Sequence, residues 1–272
     1  MPSAPNKAPD SIPPVTSLPP SAAVSSATNK RTLHLVMQGK GGVGKTLIAL
    51  LLSQFAQESG RPLALVDTDP VNPTFSNLSP IPAELIPVFR ADDTTDVRAL
   101  DLLVERMGTE DADFVVDNGA ASFVPFSRYL IENGALDVLL STGCRVVIHT
   151  VVTGGGGMED TLVGLDSILA GYPPAVRLVV WLNEKFGPIV SLKGNSFEEL
   201  PIYKDHKPRI HALVHLPALS EHESADLLDM LRKKMTFSQA TAPEPNGIFM
   251  MQKSRLFRIR SKIWPRIAEA LS

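Results

Sequence analysis

Short apolar runs alternate along the chain with stretches whose apolar residues recur every three to four positions. The short runs lie at 33–38, 62–67, 113–117, 145–152, 176–182 and 210–215. Several are nearly unbroken, such as Phe114-Val115-Val116 and Val146-Val147-Ile148, as strands covered on both faces are. Helical periodicity occupies 46–58, 96–107, 125–140, 158–170 and 220–234. Strand and helix in regular alternation predict a three-layer α/β/α fold with a mostly parallel sheet. Residues 184–207 carry scattered Gly, Pro and charge with no period, and read as an insertion or mobile loop.

Residues 1–30 break this pattern. Pro13-Pro14 and Pro19-Pro20 stand among serines and alanines; such residues bury too little surface to offset the entropy of ordering them, so the segment reads as a disordered extension. The domain is expected to be 31–272. The N-terminus lacks the basic, apolar and small-residue succession of a signal peptide. No apolar run reaches the roughly 18 residues of a membrane span. Of 272 residues 44% are hydrophobic and 20% charged, and the net charge is −3. That balance suits a core-forming protein and excludes a global attraction to nucleic acid or anionic membrane. The single cysteine, Cys144, excludes an intramolecular disulfide and suits a reducing cytoplasm.

The densest chemistry follows the first strand. Gly39-Lys40-Gly41-Gly42-Val43-Gly44-Lys45-Thr46 joins a strand to an amphipathic helix and fits G-x-x-x-x-G-K-[ST]. The glycines let main-chain N–H groups line a concavity at a helix N-terminus, where the dipole also favours anions. Gly41, Gly42, Val43, Gly44, Lys45 and Thr46 are thus candidates to hold the phosphates of ATP. Lys45 supplies an ammonium for the β and γ phosphates, and Thr46 a hydroxyl for Mg²⁺. Gly39-x-Gly41-x-x-Gly44, with Asp67 ending the next strand, also satisfies the dinucleotide fingerprint of a nicotinamide-dependent oxidoreductase. Lys45-Thr46, the second lysine Lys40 and the later acid Asp117 favour the triphosphate. Phe114-Val115-Val116-Asp117 is an apolar strand ending in an acid that can hold Mg²⁺ through water, and the small residues after it can rearrange around a γ-phosphate. Asp67-Thr68-Asp69-Pro70 ends the second strand, and one of its carboxylates can orient an attacking water.

Lys40-Gly41-Gly42-Val43-Gly44-Lys45-Thr46 resembles the deviant Walker A motif of the ParA/MinD superfamily of dimeric ATPases. Asp67-Thr68-Asp69-Pro70-Val71-Asn72, Asp117-Asn118-Gly119-Ala120, Ile148 to Gly155 and Val180-Trp181-Leu182-Asn183 resemble, more narrowly, TraL-type conjugal-transfer proteins of bacterial plasmids. The likeness covers the chain from Thr32 almost to its end. It implies that Lys40 reaches a second copy's phosphates in an ATP-bound homodimer, and that Lys45 binds phosphate in cis. It further implies Mg²⁺ at Thr46 and Asp117, water orientation by Asp69, and purine contacts from Asn183 and Pro217. The implied activity is slow ATP hydrolysis by a switch that engages a conjugation-machinery protein; a partition or positioning ATPase is the alternative. Segregation ATPases usually carry glutamine after the proline, where this chain has Val71-Asn72. Asn183-Glu184-Lys185-Phe186 lacks the acid that reads guanine, which favours adenine.

His149 and His34 stand within apolar runs and read as hydrogen-bonded core residues. His206, His211, His215 and His222 lack zinc spacing. Residues 154–157 form a glycine turn at the functional edge. Near the C-terminus Lys253, Arg255, Arg258, Arg260, Lys262 and Arg266 are interleaved with Leu256, Ile259, Ile263 and Ile267, an amphipathic helix. Its basic face is either solvated surface or a contact for DNA phosphates.

Overall fold

A computed structural model describes residues 30–69, 72–92 and 94–272. All of the expected tail except Lys30 lies outside them, as do Pro70 and Val71. Among the described residues the strands are β1 (Thr32–Val36), β2 (Leu63–Asp67), β3 (Glu84–Leu85), β4 (Asp113–Asp117), β5 (Arg145–Thr153), β6 (Arg177–Asn183) and β7 (Ile210–Leu216). They form one sheet in the order β3-β2-β4-β1-β5-β6-β7, and every pairing is parallel. The helices are α1 (Lys45–Gln57), α2 (Thr74–Leu78), α3 (Val97–Thr109), α4 (Phe123–Glu132), α5 (Ala135–Ser141), α6 (Met158–Gly171), α7 (Pro201–His206), α8 (Glu221–Arg232), α9 (Phe237–Thr241) and α10 (Met250–Leu271).

The two-residue strand period splits each strand between two cores. Leu33 and Leu35 of β1 enter one core with residues of α3, α4, α5 and α6. Val36 enters the other with residues of α1, α8, α9 and α10. This is the expected three-layer arrangement, and it places the loop after β1 where the connections part: α1 leaves toward one face, while α4 and α6 leave β4 and β5 toward the other. In open α/β sheets that parting opens a crevice at the carboxyl ends of the strands.

Two sequence expectations need correction, and three short elements were not expected. The helix expected over 125–140 is two helices, because Gly134 adopts a left-handed φ of 60° and turns the chain between α4 and α5. The aperiodic stretch 184–207 contains 3₁₀ turns, the helix α7 and a bridge between Val190 and Ser196, and it buries Phe197 in the core. The strand β3 and the helices α2 and α9 are too short to show a period.

The amphipathic C-terminal helix is α10, whose Leu256, Ile259, Ile263 and Ile267 are buried. Much of its basic face is engaged inside the fold. Arg255 pairs with Asp226, Arg260 with Glu58, Lys253 donates to the Ala242 and Glu244 carbonyls, and Arg266 donates to the His215 carbonyl. Arg258 and Lys262 remain exposed. No helix among the described residues is long and apolar enough to cross a membrane.

His34 and His149 are core residues, as expected. Trp181 Nε1 donates to His149 Nδ1 at 3.0 Å, which leaves the neutral His149 ring a proton on Nε2 to donate to His34 Nδ1 at 3.0 Å. Burial, assisted by the nearby Arg145 charge, pushes His34 from 6.5 down to about 4. Burial and then His34 also lower His149. The unfolded chain protonates these rings near pH 6.5 and the folded chain only at much lower pH. Their contribution is therefore complete above pH 6.5 and lost as the pH falls toward 4, by about 3 kcal/mol for His34 alone. Urea unfolding between pH 7.5 and 4 measures the loss. His34→Gln should flatten the profile by about that amount; an unchanged profile would mean that His34 is already charged in the folded protein.

Candidate functional site

The register of β1 on β4 brings Val36 opposite Asp117, so the loop leaving β1 starts beside the acid that ends β4. The loop then needs two left-handed residues, Gly42 (φ 75°) and Gly44 (φ 106°). Asn183, at the end of β6, buttresses it by donating from Nδ2 to the Val43 carbonyl at 2.9 Å. A Cβ on Gly44 would lie 2.8 Å from that same Nδ2. The first turn of α1 contains no acidic residue and receives no side-chain cap from Gly44. The N-terminus of a 13-residue helix is thereby kept open to an anion.

Lys45 and Thr46, the first residues of α1, turn toward the ends of β2 and β4. Lys45 Nζ donates to the Lys40 carbonyl at 3.0 Å across the loop. Burial lowers its pKa, opposed by the charges of Asp117 and Asp69. Thr46 Oγ1 donates to Asp117 Oδ2 at 2.7 Å. Asp117 is 5% exposed, and its Oδ1 has no hydrogen-bond partner. Burial pushes this carboxyl up to about 7; the Thr46 hydrogen bond and Lys45 oppose the rise, while Asp67 and Asp69 add to it. A buried carboxylate with one unmatched oxygen is costly unless a cation completes it. Among the described residues no three His, Cys, Asp or Glu side chains converge as a metal cage. Thr46 and Asp117 fit a Mg²⁺ that takes its other ligands from water and phosphate.

The neighbouring acids are fixed from the main chain. Asp67 accepts from the Asp69 and Ser76 amides, each at 3.0 Å, and Asp69 accepts from the Asn72 amide at 3.0 Å. Burial raises the Asp67 pKa in spite of those bonds. Gly119 lies so close that a Cβ on it would be 2.8 Å from the Asp69 side chain. Thr68 ties the two strand ends together, donating to the Asn118 side chain at 3.0 Å and accepting at its carbonyl from Ser122 at 3.0 Å. Gly41, Gly42, Gly44, Lys45, Thr46, Asp69 and Asp117 line one cleft of about 440 Å³. Lys40 points elsewhere: its Nζ meets Asp160, in the first turn of α6, at 2.8 Å, with both side chains substantially exposed. Pro217 directly follows β7 and is half-buried.

The chain from residue 34 to residue 236 matches the family model described as the CobQ/CobB/MinD/ParA nucleotide binding domain. The chain belongs to this family. Two Escherichia coli relatives, each called Protein TraL, are 40% and 37% identical to it. The first alignment covers 83% of this chain and 93% of the relative, and the second 88% and 98%. ATPase BagA of Mycobacterium tuberculosis is 26% identical, with 73% of this chain and 60% of that protein covered. Among solved structures, the MinC:MinD cell division protein complex of Aquifex aeolicus aligns at 17% identity with a TM-score of 0.46, covering 85% of this chain and 96% of that one.

The family's description, a nucleotide binding domain, is consistent with a nucleotide at the glycine loop. The structure gathers Gly41, Gly42, Gly44, Lys45, Thr46, Asp69 and Asp117 at one cleft, buries the Val43 side chain in the core instead, and seats Asn183 against the back of the loop. Four contributors were not singled out from the sequence. Thr68 and Asn118 join the loops after β2 and β4, Gln38 lies at the root of the phosphate loop, and Asp160 holds Lys40. A polar residue ending an apolar run was the only local sign of Gln38. Asp160 had none, since its partner is 120 positions earlier in the chain.

Because its pKa is raised, ionised Asp117 opposes folding above pH 7. Asp117→Asn, which keeps the shape and an acceptor for Thr46, should stabilise the nucleotide-free protein at pH 8 by up to about 4 kcal/mol. The same change should abolish stabilisation by Mg²⁺ with ATP. Unfolding midpoints with and without both ligands read the two effects; a lower midpoint without ligands would contradict the assigned burial cost.

Proposed function

We propose that this protein is a cytoplasmic switch ATPase that binds ATP with Mg²⁺, dimerises in that state and hydrolyses the nucleotide slowly. Its role in this reading is that of an accessory protein in plasmid conjugative transfer or mobilisation. The observation that carries the biochemical part is the buried Asp117, with one oxygen bound by Thr46 and the other unmatched, beside a lysine-bearing phosphate loop. The resemblance to TraL-type proteins, together with the two relatives of that name, supports the conjugative role.

Lys45 would exchange the Lys40 carbonyl for β and γ phosphate oxygens, a stronger, charge-assisted partner. Thr46 and Asp117 would hold Mg²⁺, which supplies neutralisation of phosphate charge. Asp69, braced by Asn72 and Gly119, would orient the attacking water. Lys40 would leave Asp160 and serve a second copy; an exposed ion pair of this kind is worth less than about 1 kcal/mol and yields readily to a phosphate. Asn183 and Pro217 would contact the purine from the ends of β6 and β7. A conjugation-machinery protein would recognise the ATP-bound dimer.

In this reading DNA is a second ligand, held at the C-terminal helix by its exposed cations Arg258 and Lys262. A DNA titration at about 50 and 200 mM salt tests that contact, which should weaken steeply with salt and vanish in an Arg258→Ala/Lys262→Ala variant. Equal affinity at both concentrations would remove it.

Lys45→Ala should abolish ATP binding; retained affinity in equilibrium dialysis would refute the phosphate-loop assignment. Asp69→Ala should bind ATP, lose turnover and accumulate as a dimer. A purely monomeric elution with ATP and Mg²⁺ in size-exclusion chromatography would count against the dimeric switch.

A further inference from the structure

We propose that Gln38 is a positioning residue that sets the phosphate loop by binding its first amides to β5 and α6, and that Gly164 is the clearance made for it. The inference rests on the phosphate-loop reading and adds to it a residue outside the G-x-x-x-x-G-K-[ST] pattern.

The main-chain ladder between β1 and β5 ends where the Met37 amide donates to the His149 carbonyl at 2.8 Å. Beyond it the chain turns out of the sheet, and the next inward-facing carbonyl of β5, Val151, would lose its partner. The Gln38 side chain takes that place. Its Nε2 donates to the Val151 carbonyl at 2.9 Å and to the Thr161 carbonyl, in the first turn of α6, at 3.1 Å. Its Oε1 accepts from the Gly39 amide at 2.8 Å and more weakly from the Lys40 amide at 3.4 Å. The residue is fully buried. One amide group therefore both closes the sheet and holds the start of the loop, so that the loop's root is anchored to β5 and α6 while its glycines shape the turn beyond it.

Gly164, on α6, faces the same amide. A Cβ there would lie 2.0 Å from Gln38 Oε1 and within 3 Å of its Cδ and Nε2. No rotation of so tightly bonded a side chain relieves that overlap without breaking its bonds to the loop. The two positions are a matched pair, 126 residues apart. Through Thr161 and the Lys40–Asp160 pair, α6 meets the loop at two points, and Gln38 is the buried one.

The test is a nucleotide titration on folded protein. Gln38→Met keeps the volume and removes every hydrogen bond; it should keep the wild-type circular dichroism spectrum and bind ATP with Mg²⁺ about tenfold more weakly. Affinity within about twofold of wild type would overturn the proposal. If Gln38→Met does not fold, the decision passes to Gly164→Ala. That change should weaken ATP binding severalfold when Gln38 is present and leave it unaltered in the Gln38→Ala background, the non-additivity of a direct contact. Equal effects of Gly164→Ala in both backgrounds would reject the pairing. Absence of ATP binding by the wild-type protein would instead refute the underlying nucleotide reading, which separates the two failures.

Discussion

A carboxylate taken out of water at the end of β4 is the constraint around which the rest of the structure is arranged. Asp117 is surrounded by acids as well as buried: Asp67 and Asp69 both push its pKa upward, and only Thr46 and Lys45 hold it down. A fold that served stability alone would place an apolar or amide side chain here, since desolvating an ionised group costs several kcal/mol. The site accepts that cost and leaves Oδ1 unmatched. Such a group is suited to a cation that arrives with its ligand, and less suited to a permanently closed ion pair.

The surrounding architecture keeps this arrangement from relaxing. Parallel pairing sets Val36, Asp117 and Asp67 side by side at the carboxyl end of the sheet. Thr68, Asn118 and Ser122 then join the two loops that carry the acids, and Asp67 is held by two main-chain amides. Gly119 is required by contact, because any larger residue would collide with Asp69. Residues 154–157 have a similar explanation. A Cβ on Gly154 would fall 2.3 Å from the Gly187 carbonyl, and one on Gly155 2.7 Å from that of Phe186, so the glycines let the loops after β5 and β6 pack backbone to backbone. Preorganisation of this kind is paid for in burial and lost chain entropy, and it spares a ligand the ordering of its own site.

The polar interior toward the middle of the same face of the sheet is of another kind. Trp181, His149 and His34 form a satisfied hydrogen-bonded row across β6, β5 and β1, with no unmatched buried atom among them. Neutral rings with internal partners read as core. The unmatched oxygen of Asp117 reads as a binding group. Both are buried polar clusters, and the difference lies in whether the hydrogen-bonding capacity is used up inside the protein.

Much of this was legible in the sequence because it is local. A strand, a glycine loop and an amphipathic helix are consecutive, so the phosphate loop, its lysine and its threonine could be named from spacing, as could Asp117 from the apolar run it ends. The layers followed from the two-residue and 3.6-residue periods, while β3, α2 and α9 are too short to display one and Gly134 divides a pattern that is continuous in the sequence. What the sequence could not determine was every partnership between distant segments: Lys40 with Asp160, Gln38 with Thr161 and Gly164, Asn183 with Val43, and the binding of four C-terminal cations into the fold. Residue types and short periods fix what each segment can become, through backbone sterics and burial of one face. Which polar groups then meet, and which are left unmatched, is decided only when the packed layers bring together residues from tens to more than a hundred positions apart.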